Sequence, residues 1–138
     1  MTDVRFELVP IGWVESPLTD LAAAPRQGDE GAPDATIAIR PELRAALNGV
    51  HVGDHVVAVT WLDRGDRSTL EVHPRDDRTR PVQGVFATRS SDRPNPIGLH
   101  TVRVLDIDGT RLRVGGLEAI DGTPVIDLKP VLGTVTDR

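Results

Sequence analysis

The sequence predicts an all-β protein, a small single-domain β-barrel with long loops and one short helix, spanning residues 1–138. Apolar and polar residues alternate with period two in short bursts, which is typical of strands with one buried face. Only one segment, residues 41–47, has helical composition. A chain of 138 residues with 38% hydrophobic content is the size of one globular domain.

Nine segments have the strand pattern: 4–8, 11–13, 37–39, 55–62, 69–72, 84–87, 99–107, 111–114 and 125–128. The longest apolar run among them, 55–62, is typical of a buried strand. Asp108-Gly109 predicts a hairpin turn between two of the strands. In 41–47 (PELRAAL) a proline stands at a first-turn position and good helix formers follow, which predicts the short helix. So many short strands favour a barrel.

Three stretches resist strand assignment because they are rich in Pro, Gly, Asp or Arg: 15–35, 73–82 and 88–96. Long loops in a compact domain are more often functional than accidental. We therefore look for a binding site among them.

The chain carries 16 basic and 21 acidic residues, a net charge of −5, which excludes a nucleic-acid binder held by bulk positive charge. Residues 64–93 alone are net positive, with seven basic and five acidic groups. Candidates for a local phosphate track there are Arg64, Arg67, Arg75, Arg78 and Arg80. Pairing of each with Asp66, Asp76 or Asp77 is the favoured alternative.

Several classes of site are excluded or lack support. With no cysteine there is no disulfide, thiolate metal site or cysteine nucleophile. The glycine-rich dinucleotide, P-loop and G-x-S-x-G motifs do not occur. His51 and His55 are four residues apart, but a turn at 52–54 separates them, so we expect no metal site. Without a signal-like N-terminus or an apolar run of about eighteen residues, we expect a cytoplasmic protein with no membrane partner.

Residues 88–98 read TRSSDRPNPIG and form the most donor-rich loop. Arg89 and Arg93 bracket the hydroxyls of Ser90 and Ser91, and two prolines stiffen the chain around Asn95. Arginine forks on a rigid loop suit an anionic group, so this pattern indicates a small-molecule or phosphate site. A proline-braced loop with exposed arginines is an equally good interpretation of the residues alone.

A second motif, Asp121-Gly122-Thr123-Pro124, predicts a tight turn. The side-chain oxygens of Asp121 and the hydroxyl of Thr123 are available there to a ligand, although most turns of this type have only a structural role.

Four segments taken together, PIGWVESP (10–17), APRQ (24–27), GVFATRSSDRPNPIGL (84–99) and GLEAIDGTPVIDLKP (116–130), resemble the TsaA-like family of tRNA threonylcarbamoyladenosine methyltransferases, the TrmO type. The resemblance implies a small all-β barrel that forms a homodimer and binds S-adenosylmethionine. It also implies methyl transfer to N6 of threonylcarbamoyladenosine, next to the anticodon of tRNA. The tRNA anticodon stem-loop is therefore the expected partner.

Carried over by motif, the resemblance implies these cofactor-binding residues: Pro25, Arg26, Gln27, Asp63, Arg64, Arg89, Leu99, Asp121, Gly122, Thr123 and Pro124. The sequence departs from the family at Asp63, where relatives usually carry histidine. Longer relatives also add a C-terminal domain after the segment that matches 127–133. If that domain helps to hold tRNA, we expect a different means of attachment here.

The reaction that the resemblance implies needs alignment of the methyl carbon with the nucleophile and removal of the proton on N6. Asp63 and Asp121 are the candidate catalytic bases. Arg93, beside Ser90, Ser91 and Asn95, is the candidate for binding the threonyl carboxylate. Two alternatives stay open: a barrel that methylates a small molecule, and a non-catalytic module that binds S-adenosylmethionine or a protein.

Overall fold

The computed structural model describes residues 3–19 and 33–133. In these ranges the chain forms eight strands: β1 Gly12–Glu15, β2 Ala35–Ile39, β3 His55–Trp61, β4 Glu71–Val72, β5 Gln83–Gly84, β6 Ile97–Asp108, β7 Arg111–Gly115 and β8 Pro124–Pro130. The segment 24–27 lies outside the described residues.

Six of the strands close into a barrel in the order β1-β2-β7-β6-β3-β8. Every neighbouring pair is antiparallel, and β1 closes the ring because Gly12 lies opposite both Ile39 of β2 and Val125 of β8. The remaining two strands, β4 and β5, form a separate two-stranded ribbon in the long connection between β3 and β6. The all-β fold class predicted from the sequence is confirmed.

Alternate residues of the barrel strands point inward and make the core. Along β6, buried and exposed positions alternate strictly from Ile97 to Val104, and Val102 and Val104 are fully buried. Ile37 of β2 and Leu112 of β7 are buried beside them. Each such side chain stabilises the fold by about 1.5–3 kcal/mol through loss of water contact. The period-two pattern is thus a consequence of barrel closure.

The hairpin predicted at Asp108-Gly109 is confirmed. Strand β6 ends at Asp108, β7 begins at Arg111, and these two residues face each other across the two-residue turn. Gly109 has φ of 62°, a backbone conformation that a residue without Cβ adopts at little cost.

Three strand predictions are wrong in whole or in part. Residues 4–8 form no strand, and Val4, Phe6 and Leu8 are all more than half exposed, because no strand pairs with them in the described chain. The predicted strands 69–72 and 84–87 are reduced to the two-residue β4 and β5, whose ribbon has only two residue pairs. Alternating apolar residues therefore indicate strand propensity but not the presence of a partner.

The predicted helix occurs at Pro41–Leu47 as a 3-10 helix, and two further single turns of 3-10 helix occur in the described residues at Pro74–Asp76 and Val85–Ala87. Leu43 and Leu47 pack against the barrel core. The first helix therefore covers the end of the barrel where β2 finishes.

Candidate functional site

The predicted site residues that the structure describes come mainly from the opposite end of the barrel, which we call the upper end. Strand β3 finishes there with Trp61 paired to Ile97, the first residue of β6, and Thr60 paired to Val125 near the start of β8. Three loops, 62–67, 88–96 and 116–123, therefore meet at the upper end.

A small cleft of about 50 Å³ lies between these loops. It is lined by Leu62, Asp63, Arg64, Gly65, Ser91, Glu118, Ala119, Ile120 and Thr123. Four residues singled out from the sequence, Asp63, Arg64, Ser91 and Thr123, are thus brought together although they are spread over sixty positions of the chain. Asp63 and Arg64 are exposed at the rim, whereas Thr123 is buried.

Arg93 braces the 88–96 loop from within. Its Nη1 donates to the carbonyl oxygens of Thr88 and Ser90 at 3.0 and 3.1 Å. Ser90 Oγ accepts a hydrogen bond from the N–H of Asp92 at 3.1 Å, so the Ser90 hydroxyl also stabilises the conformation of this loop. These contacts agree with the interpretation of 88–98 as a braced loop, and they hold Ser91 at the cleft wall.

Arg67 joins the two loops that flank the cleft. Its Nε donates to Pro94 O at 2.7 Å and its Nη2 to Asn95 Oδ1 at 2.9 Å. The guanidinium lies 5.2 Å from the centre of the Trp61 ring, a favourable cation–π distance. Asn95, predicted to bind substrate, is therefore bonded to Arg67.

The same two loops are also joined through their acidic residues. Asp66 N–H donates to Asp92 Oδ1 at 2.8 Å. Hydrogen bonds from the Ser68 hydroxyl and N–H hold the pKa of the Asp66 carboxyl below its usual value. Elsewhere in the 64–93 segment, Arg80 pairs with Asp77 at 3.6 Å, as the favoured alternative to a phosphate track expects.

The Asp121–Pro124 turn is tied to the segment that follows β1. Asp121 Oδ1 accepts the N–H of Ser16 at 3.0 Å, and Gly122 N–H donates to Val14 O at 2.7 Å. Gly122 has φ of 83°, so the turn needs glycine at this position. Thr123 Oγ1 donates to Ile120 O at 2.7 Å. The turn therefore fixes the position of residues 14–18, which lead toward the predicted Pro25, Arg26 and Gln27 outside the described residues.

Five of the predicted cofactor residues that the structure describes do not line the cleft: Arg89, Leu99, Asp121, Gly122 and Pro124. Leu99 lies on the outer face of β6 with 47% of its surface exposed, and Arg89 is exposed at the start of the 88–96 loop. Pro124 opens β8 next to the buried Thr123.

Sequence analysis missed a buried polar group beside the cleft, formed by Thr60, His100 and Glu118. Thr60 Oγ1 lies 2.8 Å from His100 Nε2, and His100 Nδ1 lies 3.5 Å from Glu118 Oε1. His100 Nδ1 and Glu118 Oε2 are buried without a hydrogen-bond partner. Thr60 and His100 occupy inward positions of β3 and β6 among apolar residues, and that polar break in the pattern was the available signal.

Gly98 makes room for this polar group. A Cβ there would lie 2.6 Å from Thr60 Oγ1 and 2.8 Å from His100 Nε2. Glycine in the P-N-P-I-G segment is therefore required by the side chains that pack on it.

The family known as tRNA-methyltransferase O N-terminal domain matches residues 13–137. The chain belongs to this TrmO N-terminal domain family.

Among proteins similar to this TrmO-family chain, one from Methanothermobacter thermautotrophicus is 42% identical over 130 residues, covering 94% of this chain and 93% of its own length. One from Archaeoglobus fulgidus is 42% identical over 129 residues, and the match covers 35% of that longer protein. Both are named probable S-adenosyl-L-methionine-binding proteins. A crystal structure of TrmO from Pseudomonas aeruginosa matches with TM-score 0.76 and 31% identity over 99% of this chain and 61% of that one.

No helix in 3–19 or 33–133 is long and apolar enough to cross a membrane. In the same ranges no three or more His, Asp or Glu side chains cluster in a way that could hold a metal ion.

Proposed function

We propose that this chain is an S-adenosylmethionine-dependent methyltransferase that acts on N6 of threonylcarbamoyladenosine next to the anticodon of tRNA, in the cytoplasm. The observation that carries the proposal is the TrmO-family match over 13–137, together with the cleft that collects Asp63, Arg64, Ser91 and Thr123. The chain spans about a third of the length of the Archaeoglobus relative, so substrate and partners are part of the proposal.

The residues at the cleft fit part of this cofactor. Glu118 Oε2 is a buried acceptor without a partner, and Arg64 presents a guanidinium at the rim. A cavity of about 50 Å³ is much smaller than the ~300–1,000 Å³ usual for a drug-sized ligand. The rest of the site therefore draws on the proposed contacts outside it: Pro25, Arg26, Gln27, Arg89 and Leu99.

Bound S-adenosylmethionine supplies a methyl group on a good leaving group, so the protein mainly has to position the acceptor and remove its proton. Asp63 at the rim of the cleft is the proposed base, which would take the proton that N6 loses on methylation. Asp121 is the weaker candidate because its Oδ1 already accepts the Ser16 N–H. The threonyl carboxylate would lie against the 88–96 loop, where Ser91, Asn95 and the outer part of Arg93 are the proposed contacts.

The test of the proposed function is transfer of label from S-adenosylmethionine to threonylcarbamoyl-modified tRNA, with unmodified tRNA as control. We expect transfer only to modified tRNA. Asp63→Asn should lower kcat by about 10²-fold or more if the carboxylate is the general base. Cofactor binding without transfer to tRNA would favour a small-molecule acceptor, and absence of cofactor binding would favour a non-catalytic module.

We propose further that the chain forms a homodimer through the outer face of the paired strands β3 and β6. Ile97 and Leu99 are 41% and 47% exposed there, and their paired residues Trp61 and Val59 are only partly covered. A second copy of the chain would cover this apolar strip. Leu99 is a proposed cofactor contact that lies outside the cleft. A cofactor site that extends from the cleft to the subunit interface would therefore include both the cleft residues and Leu99.

We expect sedimentation velocity to give a mass twice that of one chain, and Ile97→Asp to give a monomer with weaker cofactor binding. Val82→Asp is the matched control, because Val82 is 48% exposed and belongs to neither β3 nor β6. A wild-type monomer, or equal effects of both substitutions, would contradict this interface.

A further inference from the structure

The geometry of the buried polar group beside the cleft indicates which of its atoms donate and which accept. His100 Nδ1 faces the carboxylate of Glu118, which favours a proton on that nitrogen. Nε2 is then the acceptor, and the Thr60 hydroxyl donates to it across 2.8 Å. A hydrogen bond thus joins Thr60 to one side of the ring, and the other side faces Glu118 at ion-pair distance.

That order leaves one open acceptor, Glu118 Oε2, which is buried and has no partner in the described chain. A buried carboxylate oxygen without a donor costs free energy unless a ligand supplies one. Glu118 also lines the cleft, with 19% of its side chain exposed, whereas the His100 side chain behind it is 5% exposed. The cleft is therefore the open side of this carboxylate, and His100 covers the other side.

The charged side chains that line the cleft indicate which kind of ligand could donate to Glu118 Oε2. Glu118 contributes a carboxylate on the inner side, and the rim carries the guanidinium of Arg64 and the carboxylate of Asp63. A ligand that places a positive group beside Glu118 and a negative group beside Arg64 would complement both charges. The ammonium and carboxylate of an α-amino acid are two such groups. The small volume of the cleft suits such an end group and not a nucleoside.

We propose that Glu118 accepts the α-ammonium of the methionine portion of S-adenosylmethionine, that Arg64 pairs with its α-carboxylate, and that His100 is a positioning residue that holds the Glu118 carboxylate. This inference rests on the proposed cofactor and adds Glu118 and His100 to the residues that recognise it. No covalent step is involved.

The test is calorimetric binding of two ligands that differ only in the part under discussion. S-adenosylhomocysteine carries the amino acid end, and 5′-methylthioadenosine lacks it. We expect Glu118→Gln to weaken S-adenosylhomocysteine about tenfold or more, the loss typical of a charge-assisted hydrogen bond, and to change methylthioadenosine less than about twofold. Glu71→Gln, an exposed carboxylate on β4, is the matched control and should change neither affinity.

Two variants of His100 separate positioning from packing. His100→Asn keeps a donor near the Nδ1 position, and His100→Gln keeps one near Nε2. We expect the asparagine variant to retain most of the preference for S-adenosylhomocysteine over methylthioadenosine, and the glutamine variant to lose it. Equal losses for both ligands in Glu118→Gln would overturn the inference, as would an unchanged preference. If the wild-type protein binds neither ligand, the proposed cofactor falls as well, so the two failures are distinguishable.

Discussion

Gly65→Ala is expected to separate the two loops that form the cleft and to weaken binding of S-adenosylhomocysteine by at least about tenfold. A Cβ at this position would lie 2.1 Å from Ser91 O and 3.0 Å from Ser91 C. Both are backbone atoms, so no side-chain rotation relieves the clash. Overpacking of this kind costs about 1–3 kcal/mol, and here the strain falls on the 62–67 and 88–96 loops.

The measurement is calorimetric titration of the ligand, with urea unfolding on the same sample. Gly84→Ala is the matched control, because its new Cβ would meet nothing closer than Leu70 O at 4.0 Å. We expect the control to bind as the wild-type protein does. Full affinity in Gly65→Ala would mean that the cleft is not the binding site.

Leu112→Ala is expected to lower the free energy of unfolding by about 2–5 kcal/mol, which is the usual cost of truncating a buried leucine. Leu112 is 1% exposed and lies in the centre of the barrel core with Ile37 and Val104. Because proteins of this size are stable by only about 5–15 kcal/mol, the loss is a large share of the total.

Urea unfolding measures this loss as a lower midpoint with an unchanged slope. Leu70→Ala serves as the control, since Leu70 is 67% exposed and its truncation should change the midpoint little. Similar midpoints for the two variants would contradict the position of the core.

The barrel strands were predictable because closure imposes one physical rule on all of them. In β7, inward Leu112 and Val114 alternate with outward Arg111 and Arg113, so the residue types themselves indicate which face is buried. The same rule failed at residues 4–8, where the alternation is present and the residues are exposed. Local periodicity describes one strand and carries no information on whether a second strand lies beside it.

The candidate site was predictable in its segments and not in its contacts. The 88–98 loop was identified from the sequence as rigid and rich in donors. In the structure, however, Arg93 Nη1 donates to backbone carbonyl oxygens of that same loop and not outward. Arg67, which was grouped with residues of a phosphate track, instead joins the loop to Trp61. An arginine can donate to a ligand, to a backbone or to an aromatic face, and only the tertiary fold selects among them.

The role of Glu118 also could not be predicted from the sequence. It stands between apolar residues in a segment without regular structure, and its relation to His100 depends on the packing of 116–123 against the start of β6. The inward-facing polar residues Thr60 and His100 could have been noticed from alternation alone. Their partner could not.

Closure of the barrel by β1 and β8 has a consequence for how the protein is made. Gly12 and Val125 pair although nearly the whole length of the described chain separates them, so a nascent chain on the ribosome has no partner for this side of β1 until residues 124–130 have emerged. During synthesis the unpaired edges of β1 and β3 are open to other chains. The contacts between 14–18 and the Asp121–Pro124 turn form in the same late event. Formation of the candidate cleft is therefore coupled to the pairing of β8 with β1 and β3.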